Sequence, residues 1–560
     1  MLKSKPSINL MFLGGVGDDV TGSSTLVAID LENERRYGLI DVGGYQREGN
    51  RNYFFPVDAT KIDFVIITHA HYDHIGLLPK LYKDGFRGHV YISEQAKYHG
   101  NLILQDTATI NIENSDYSLY GGKKLNKARE SFENKKKKAT TCRDIRNLDS
   151  AISQLDDIIQ SPLYTAEHVK ELLNYYEVVK PYSLFTIYEE KVFARLIPTT
   201  HQNGAVQVEF YYKDEDDQIG ILFTGDIGPD NSLLYEKKAD FVNYDIDYAV
   251  LESLHGTALP EETLEDSIQR LEEIIRQGIK KHKKIFLAGF SLDRDAMLVY
   301  LINKMFAKGA KFTAYLDAPL AYSQLMGYTS FYKREDEVRR ISKDEESLKY
   351  IYFKDLGRDP FNLSKIKAIT KYKYHLELLN DGGAGGEVVI TASANGSGGR
   401  VVDFFDKYIQ DSNSVFVFCG WVYPGSPSEI LHSTPSGEIV DFGYRRFKKN
   451  CETFQLHGFS SHGYLPELFS KLYSYPKVKE VILNHGEASS KEEVREAIKK
   501  EFDISSHMPN LYDAYEISKD SIRYLENGEA LKVFGEVILT FNMENVLAEI
   551  AECAEEKIEE

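Results

Sequence analysis

At 560 residues the chain is too long for a lone small module and predicts several domains or one large composite. Apolar residues make up 42% and charged residues 27%, the balance of a chain that buries a sizeable core and is not disordered as a whole. Its 67 Lys and Arg against 86 Asp and Glu give a formal charge of −19, which argues against a protein that coats nucleic acid through a broadly basic surface and leaves room for a local basic groove.

The N-terminal stretch MLKSKPSINLMFLGG carries an apolar run too short, and too soon broken by glycine, for an export signal or a spanning helix. No other stretch approaches the roughly 18 apolar residues that a membrane span needs. Leu26–Ile29 and Tyr37–Ile40 predict strands around Glu32-Asn33-Glu34, and the second ends at Asp41-Val42-Gly43-Gly44. The β-branched run Phe64–Ile67 predicts a short strand, after which THAHYDH opens onto IGLLPKL, the start of a helix. Residues 115–182 combine charge with Leu and Ile at helical spacing and predict a helical insertion, with Lys135–Lys138 as a solvated helix face. Val206–Tyr212 and Ile219–Thr224, around the polar turn Lys213–Gln218, predict a hairpin that runs into Gly225-Asp226.

Beyond Leu251 the period changes. Leu264, Ile268, Leu271, Ile275 and Ile279 share one helical face, followed by the strand Ile285–Ala288, the helix Asp293–Phe306 and the strand Phe312–Leu316. The alternation resumes with Val388–Ala392, the helix Val401–Ile409 and the strand Val415–Cys419, which together predict a parallel sheet. Residues 322–386 carry no readable period; within them Tyr350–Tyr374 mixes aromatic and basic residues in a way that suits base stacking, although such tyrosines are more often ordinary core or surface residues. Gly382–Gly386 predicts a flexible loop, and the acidic tail from Glu549 a terminal helix that carries no chemistry.

Three histidines and one aspartate fall within the six residues His69–His74. Neutral imidazoles and carboxylates are the usual ligands of borderline metals such as zinc, and a buried strand rarely ends in so many polar groups without a partner. In an extended segment His69 and His71 point to the same side, while a turn after Tyr72 aims Asp73 and His74 at a second point nearby. Two adjacent metals therefore fit the spacing.

This segment resembles the HxHxDH motif of the metallo-β-lactamase superfamily, and the neighbouring motifs follow in order: Asp41, His201 in PTTHQNGAVQVEF, and Asp226 in ILFTGDIG. Downstream, Tyr248–Ser253 with Glu252, FSLDR, LDAPLA, SGGR, Gly420-Trp421 to Ser426, His462 in HGFSSHG and His485 in VILNHGE resemble the β-CASP branch, the nucleases of that superfamily. The resemblance implies a four-layer αββα metallo-β-lactamase sandwich, an α/β fold, with an inserted β-CASP α/β domain whose parallel sheet is flanked by helices. The expected division is 1–254 for the first part of the metallo-β-lactamase domain, with the helical insertion 115–182, 255–453 for the β-CASP domain, 454–545 for the second part, and 546–560 for the acidic tail.

By the same resemblance His69, His71 and His201 hold one divalent ion, Asp73, His74 and His485 the other, and Asp226 bridges them. Asp41 fixes the ligand loop without binding metal. The ions implied are Zn2+, with Mn2+ as the alternative. A histidine at position 485 is typical of the branch members that act on RNA. The implied reaction is two-metal hydrolysis of a phosphodiester, leaving 5′-phosphate and 3′-hydroxyl ends, in which Asp73 orients the nucleophile and His462, positioned by Glu252, acts at the scissile phosphate or the leaving oxygen. Arg294 and Arg400 are expected either to contact the nucleic-acid backbone or to pair with acids of the inserted domain. The chain departs from the family pattern in four places: Thr200 before the third-motif histidine, Gly463-Tyr464 without the usual aspartate, His255 where tyrosine is common, and Trp421.

Two other readings stand beside the ribonuclease: a hydrolase of a small ester, thioester or lactam, and a non-catalytic scaffold of an RNA-processing complex. The partners expected are RNA and no membrane, with a homo-oligomer left open. Cys142, Cys419, Cys451 and Cys553 show no CxxC spacing and are too few for a disulfide framework, so a reducing, cytoplasmic location is expected.

Overall fold

The computed structural model describes residues 7–116, 133–137 and 162–538, apart from 32–33, 47–48, 54, 189, 215–216, 239–241, 291, 343, 382–384 and 444. Two sheets face each other. The first has eight strands in the order Ile522–Tyr524, Ala514–Ser518, Ser7–Gly14, Ser24–Leu31, Glu34–Ile40, Phe64–Ile66, His89–Ile92 and Tyr176–Val178. The second has seven, in the order Ser505–His507, Glu480–Asn484, Tyr248–Glu252, Asp217–Phe223, Val206–Asp214, Val192–Pro198 and Leu184–Tyr188.

The period of two along these strands builds the layers. Ile8, Leu10 and Phe12 of the first sheet meet Ile219, Ile221, Phe223 and Val250 of the second in one buried cluster between the sheets. The intervening Met11 and Leu13 turn outward, toward Leu78, Leu81 and Leu104 of the helices Leu78–Lys83 and Glu94–Asp116. On the far side Leu222, Ala249 and Leu251 pack on Leu468, Leu472, Val494 and Ile498 of the helices Leu465–Ser474 and Ala488–Phe502. The result is the expected αββα sandwich.

The third sheet is wholly parallel, in the order Ile366–Ala368, Thr313–Asp317, Glu387–Thr391, Lys284–Ala288, Ser414–Cys419 and Glu452–Leu456. It is covered on both faces, as a parallel sheet must be. Phe286 and Ala288 face Phe404, Phe405 and Tyr408, whereas Ile285 and Leu287 face Leu271, Ile275, Leu298 and Ile302. The last strand straddles the boundary expected at 453.

Three expectations need correction or completion. The predicted helical insertion 115–182 lies mostly outside the described residues; of those described, 133–137 and Ala166–Leu172 are helical, but Tyr176–Val178 is the edge strand of the first sheet. The unread region 322–386 opens with the greater part of the helix Pro319–Ile341, which packs along Glu94–Asp116 and joins the two lobes through His99, whose Nδ1 meets Gln324 and whose Nε2 lies 3.0 Å from Asn203 Oδ1. Half of the six aromatics in Tyr350–Tyr374 are not free to stack on a base: Tyr352, Phe353 and Phe361 are buried in the core, Tyr350 is half-buried, and Tyr372 and Tyr374 are well exposed. Residues 382–384 of the glycine cluster and the acidic tail lie outside the described residues. No helix among the described residues is long and apolar enough to cross a membrane.

Candidate metal centre

The strand ends gather the polar residues. Glu34–Ile40 runs parallel to Phe64–Ile66, and Asp217–Phe223, Tyr248–Glu252 and Glu480–Asn484 run parallel to one another, so Asp41, the 68–74 turn, Asp226, Glu252 and His485 emerge at one rim of the sandwich. His201 follows the strand Val192–Pro198 at the same rim. Two glycines allow this crowding. A Cβ on Gly43 would lie 1.9 Å from the Asp73 carbonyl oxygen, and one on Gly228 would lie 2.1 Å from the His201 nitrogen.

His69, His71, His201 and Asp226 offer ligand atoms that all lie within 4.8 Å of one another, and Asp73, His74 and His485 form a second such group. His71 Nδ1 stands 3.2 Å from His69 Nε2 and 3.0 Å from His201 Nε2. The outward nitrogens of two of these rings are engaged elsewhere: His201 Nδ1 donates to the Ser461 carbonyl at 2.8 Å, and His69 Nδ1 meets Thr68 Oγ1 at 3.0 Å. That leaves the His69 and His201 Nε2 lone pairs aimed inward. Burial pushes His71 down to about 3 and holds His69 and His201 well below the ordinary histidine range, which keeps these rings neutral and able to ligate.

Asp226 joins the two groups. Its Oδ2 lies 3.4 Å from both His69 Nε2 and His201 Nε2 and 3.5 Å from His485 Nε2, and its Oδ1 lies 3.2 Å from His74 Nε2. Burial alone would raise this carboxyl, but the surrounding histidines, His485 and His74 foremost, pull it well below the usual carboxylate range. His74 Nε2 and Asp226 Oδ1 are buried without a hydrogen-bond partner, as is His485 Nδ1. Burial lowers the His74 imidazole, but Asp226 and Asp41 outweigh it and hold the ring well above the ordinary histidine range. Ring nitrogens and a carboxylate converging in this way fit divalent cations, which satisfy such atoms at once and take the place of a proton between His74 and Asp226.

Asp41 sits outside the cluster. At φ 60° and 2% exposure it accepts from the Thr68 backbone N–H at 2.7 Å, Thr68 Oγ1 at 2.8 Å and His74 Nδ1 at 2.7 Å. Its carboxylate thereby fixes the His74 tautomer with Nε2 toward Asp226. Thr68 and the Ser461 carbonyl do comparable work and were not legible in advance, because a lone threonine or a main-chain oxygen carries no motif.

On the open side His462 Nδ1 lies 3.1 Å from Glu252 Oε2, while His462 Nε2 faces Asp226 Oδ2 at 3.8 Å. Glu252 is 1% exposed and its other oxygen accepts from the Ile227 N–H. Burial lowers the His462 imidazole, yet Glu252 and Asp226 outweigh it and hold the ring above its usual range. His255 donates to or accepts from Ser460 Oγ at 3.0 Å and stacks on Tyr464 at 4.4 Å, bracing the loop that carries His462. Arg294, 5% exposed, lines a cavity of about 370 Å³ together with His201 and His462, and its Nε has no hydrogen-bond partner. Arg400 is placed differently: its guanidinium is engaged by Asp317 and by the carbonyls of Ile369 and Thr370, the acid-pairing alternative of the two expected. The same Asp317 holds His375 Nδ1 at 2.6 Å, with Asp403 on Nε2 at 2.9 Å, two partners that lie outside every motif.

Three family models match the chain in order: the metallo-β-lactamase superfamily over residues 17–140, the Beta-Casp domain over 296–431, and the Zn-dependent metallo-hydrolase RNA specificity domain over 446–509. Ribonuclease TTHA0252 of Thermus thermophilus is 24% identical over 484 residues, covering 84% of this chain and 92% of the relative. The transcription termination factor FttA of Cenarchaeum symbiosum is 20% identical over 538 residues, 92% of this chain and 72% of the relative. The endoribonuclease ysh1 of Schizosaccharomyces pombe is 20% identical over 507 residues, 89% of this chain and 56% of the relative. With the αββα sandwich, the parallel third sheet and the ordered motifs, these matches mean that the chain belongs to the β-CASP branch of the metallo-β-lactamase superfamily.

Proposed function

We propose that the chain is a metal-dependent ribonuclease that hydrolyses RNA phosphodiester bonds. The observation that carries this is the convergence of His69, His71 and His201 on one point and of Asp73, His74 and His485 on another, with Asp226 reaching both. These residues would hold two divalent cations, zinc before manganese given the imidazole-rich donor set. Bound there, the cations supply a nucleophile at neutral pH and offset charge on the phosphate. The RNA specificity model at 446–509 and the ribonuclease names among the relatives favour RNA over a small ester, thioester or lactam.

The chain's own residues divide the remaining work. Asp73 flanks the second site and orients the attacking oxygen. His462, held through Nδ1 by Glu252, presents a proton on Nε2 to the leaving 3′ oxygen. Arg294 offers its unpaired Nε to a phosphate oxygen in the cleft. The domain division expected from the motifs, with its second boundary moved past the strand Glu452–Leu456, and a cytoplasmic location, which the free buried Cys419 and Cys451 suit, belong to the same proposal.

The test is end-labelled RNA carrying a 5′-monophosphate or a 5′-hydroxyl, matched DNA, and ester and thioester substrates, each incubated with wild type and Asp73→Ala. Metal-dependent RNA ladders with 3′-hydroxyl ends, lost in the variant, are expected. Turnover of the small substrates with intact RNA would favour the second hydrolase reading, and intact substrates throughout would favour the scaffold.

A further inference from the structure

In an open parallel sheet, ligands bind in the crevice beyond the carboxyl ends of the strands, where successive connections diverge. Here the strand Lys284–Ala288 lies between Glu387–Thr391 and Ser414–Cys419, and the chain leaves these three strands through the loops that begin at Gly289, Ala392 and Gly420. Two of those loops meet. Gly420, at φ 120°, stands beside Arg294: a Cβ there would be in van der Waals contact with the guanidinium, 3.7 Å from Nε and 3.9 Å from Nη2. Arg294 in turn shares its cavity with His201 and His462.

The next residue, Trp421, is 50% exposed. One residue from Gly420, which borders Arg294, it offers a half-solvated indole face that a ligand can cover. It is not a loose side chain. Tyr423 packs edge-on against it with ring centroids 4.7 Å apart, and the Tyr423 hydroxyl donates to Gln46 Oε1 at 2.9 Å, on the loop that follows Asp41-Val42-Gly43-Gly44. That loop is tied to the ligand turn, since Gly44 N donates to the Tyr72 carbonyl at 2.9 Å. The aromatic pair therefore links the loop after Gly420, which borders Arg294, to the loop after Gly44, which is tied to the HAHYDH turn.

We propose that Trp421, braced by Tyr423, is a stacking platform for a base of single-stranded RNA next to the phosphate held in the cleft. A flat aromatic face takes any base, whereas the neighbouring guanidinium takes the phosphate, and a single strand offers both at one nucleotide spacing. The alternation also suits a chain of net charge −19: grip on the bases needs no basic surface. The inference rests on the ribonuclease reading and extends it to how the strand is held.

Trp421 is the only tryptophan in the chain, so its emission, excited beyond the tyrosine band, reports on this site alone. The experiment titrates Asp73→Ala protein with a 2′-O-methyl oligoribonucleotide, with an abasic strand of the same length, and with inorganic polyphosphate, and follows binding in parallel through anisotropy of an end-labelled oligonucleotide. Expected are strong quenching by the base-bearing strand and little by the two base-free polyanions. Trp421→Ala should weaken oligonucleotide binding roughly five- to 150-fold, the range of one lost base stack, and Trp421→Phe should keep most of the affinity. Oligonucleotide binding with unchanged emission, or equal affinity in Trp421→Ala, overturns the platform and leaves the nuclease intact. Failure of wild type to bind or cut RNA at all takes down the ribonuclease reading, and the platform with it.

Discussion

Asp41→Asn separates holding a metal ligand in place from being one. The wild-type carboxylate accepts three hydrogen bonds, at 2.7 Å and 2.8 Å from Thr68 and at 2.7 Å from His74 Nδ1. Asparagine keeps one oxygen. If that oxygen stays on the Thr68 backbone N–H, the amide nitrogen faces Thr68 Oγ1, which can turn to accept, and His74 Nδ1, which can accept only by moving its proton to Nε2. A protonated Nε2 cannot bind a cation. Loss of such an orienting partner typically costs ten- to a hundred-fold in metal affinity, and the lost charge-assisted bonds cost about 1–3 kcal/mol in stability. Asparagine is chosen because Asp41 has φ 60°, a backbone region that asparagine tolerates and alanine does not. Competition against a chromophoric zinc chelator should resolve two dissociation steps, the weaker lowered ten- to a hundred-fold in the variant and the tighter, from His69, His71 and His201, nearly unchanged. Two unchanged steps, or weakening confined to the tighter one, would refute the reasoning.

Glu252→Gln should leave two cations bound but lower the cleavage rate about a hundred-fold and move the alkaline limb of its pH profile to lower pH, because the His462 imidazole loses the carboxylate that holds it above its usual range and gives up its proton earlier. An unchanged profile would remove His462 as the proton carrier. Arg294→Gln should flatten the dependence of log RNA affinity on log salt by about 0.7, one single-strand phosphate contact, in a binding titration at several salt concentrations. Glu335, 7% exposed, accepts from the backbone N–H groups of Tyr352 and Phe353 and is pushed up to about 7 by burial. The folded chain then binds more protons than the unfolded chain between about pH 4.5 and 7, so stability falls as pH rises through that window. Glu335→Gln should match wild type near pH 4.5 and exceed it by about 3 kcal/mol at pH 8, read from denaturant unfolding; a parallel pH dependence in both proteins would contradict this.

What the sequence disclosed followed physical reach. The Phe64–Ile66 strand and the 68–74 turn are local, so spacing alone suggested two points of convergence. His201, Asp226 and His485 come from distant strand ends, and only the ordered motifs of the family brought them to the same rim. The helix Pro319–Ile341 escaped detection because its inward face carries Gln324, Gly327 and Glu335 among Leu325, Tyr328 and Phe331, which blurs the apolar period. The Arg400–Asp317–His375–Asp403 network was invisible for a different reason: its members sit on a loop, a strand end and two helices, and nothing in their spacing couples them. In Tyr350–Tyr374 the more ordinary of the two readings holds for Tyr352, Phe353 and Phe361, which serve the core.

In the proposed ribonuclease seven side chains cage two cations. Elemental analysis of protein prepared without chelators, for wild type, His71→Ala and His485→Ala, tests it most directly. Two equivalents of zinc or manganese per chain in wild type, and about one in each variant with the remaining ion held at the unaltered site, are the expected result. One equivalent or fewer in wild type, or two retained after His485→Ala, would contradict it.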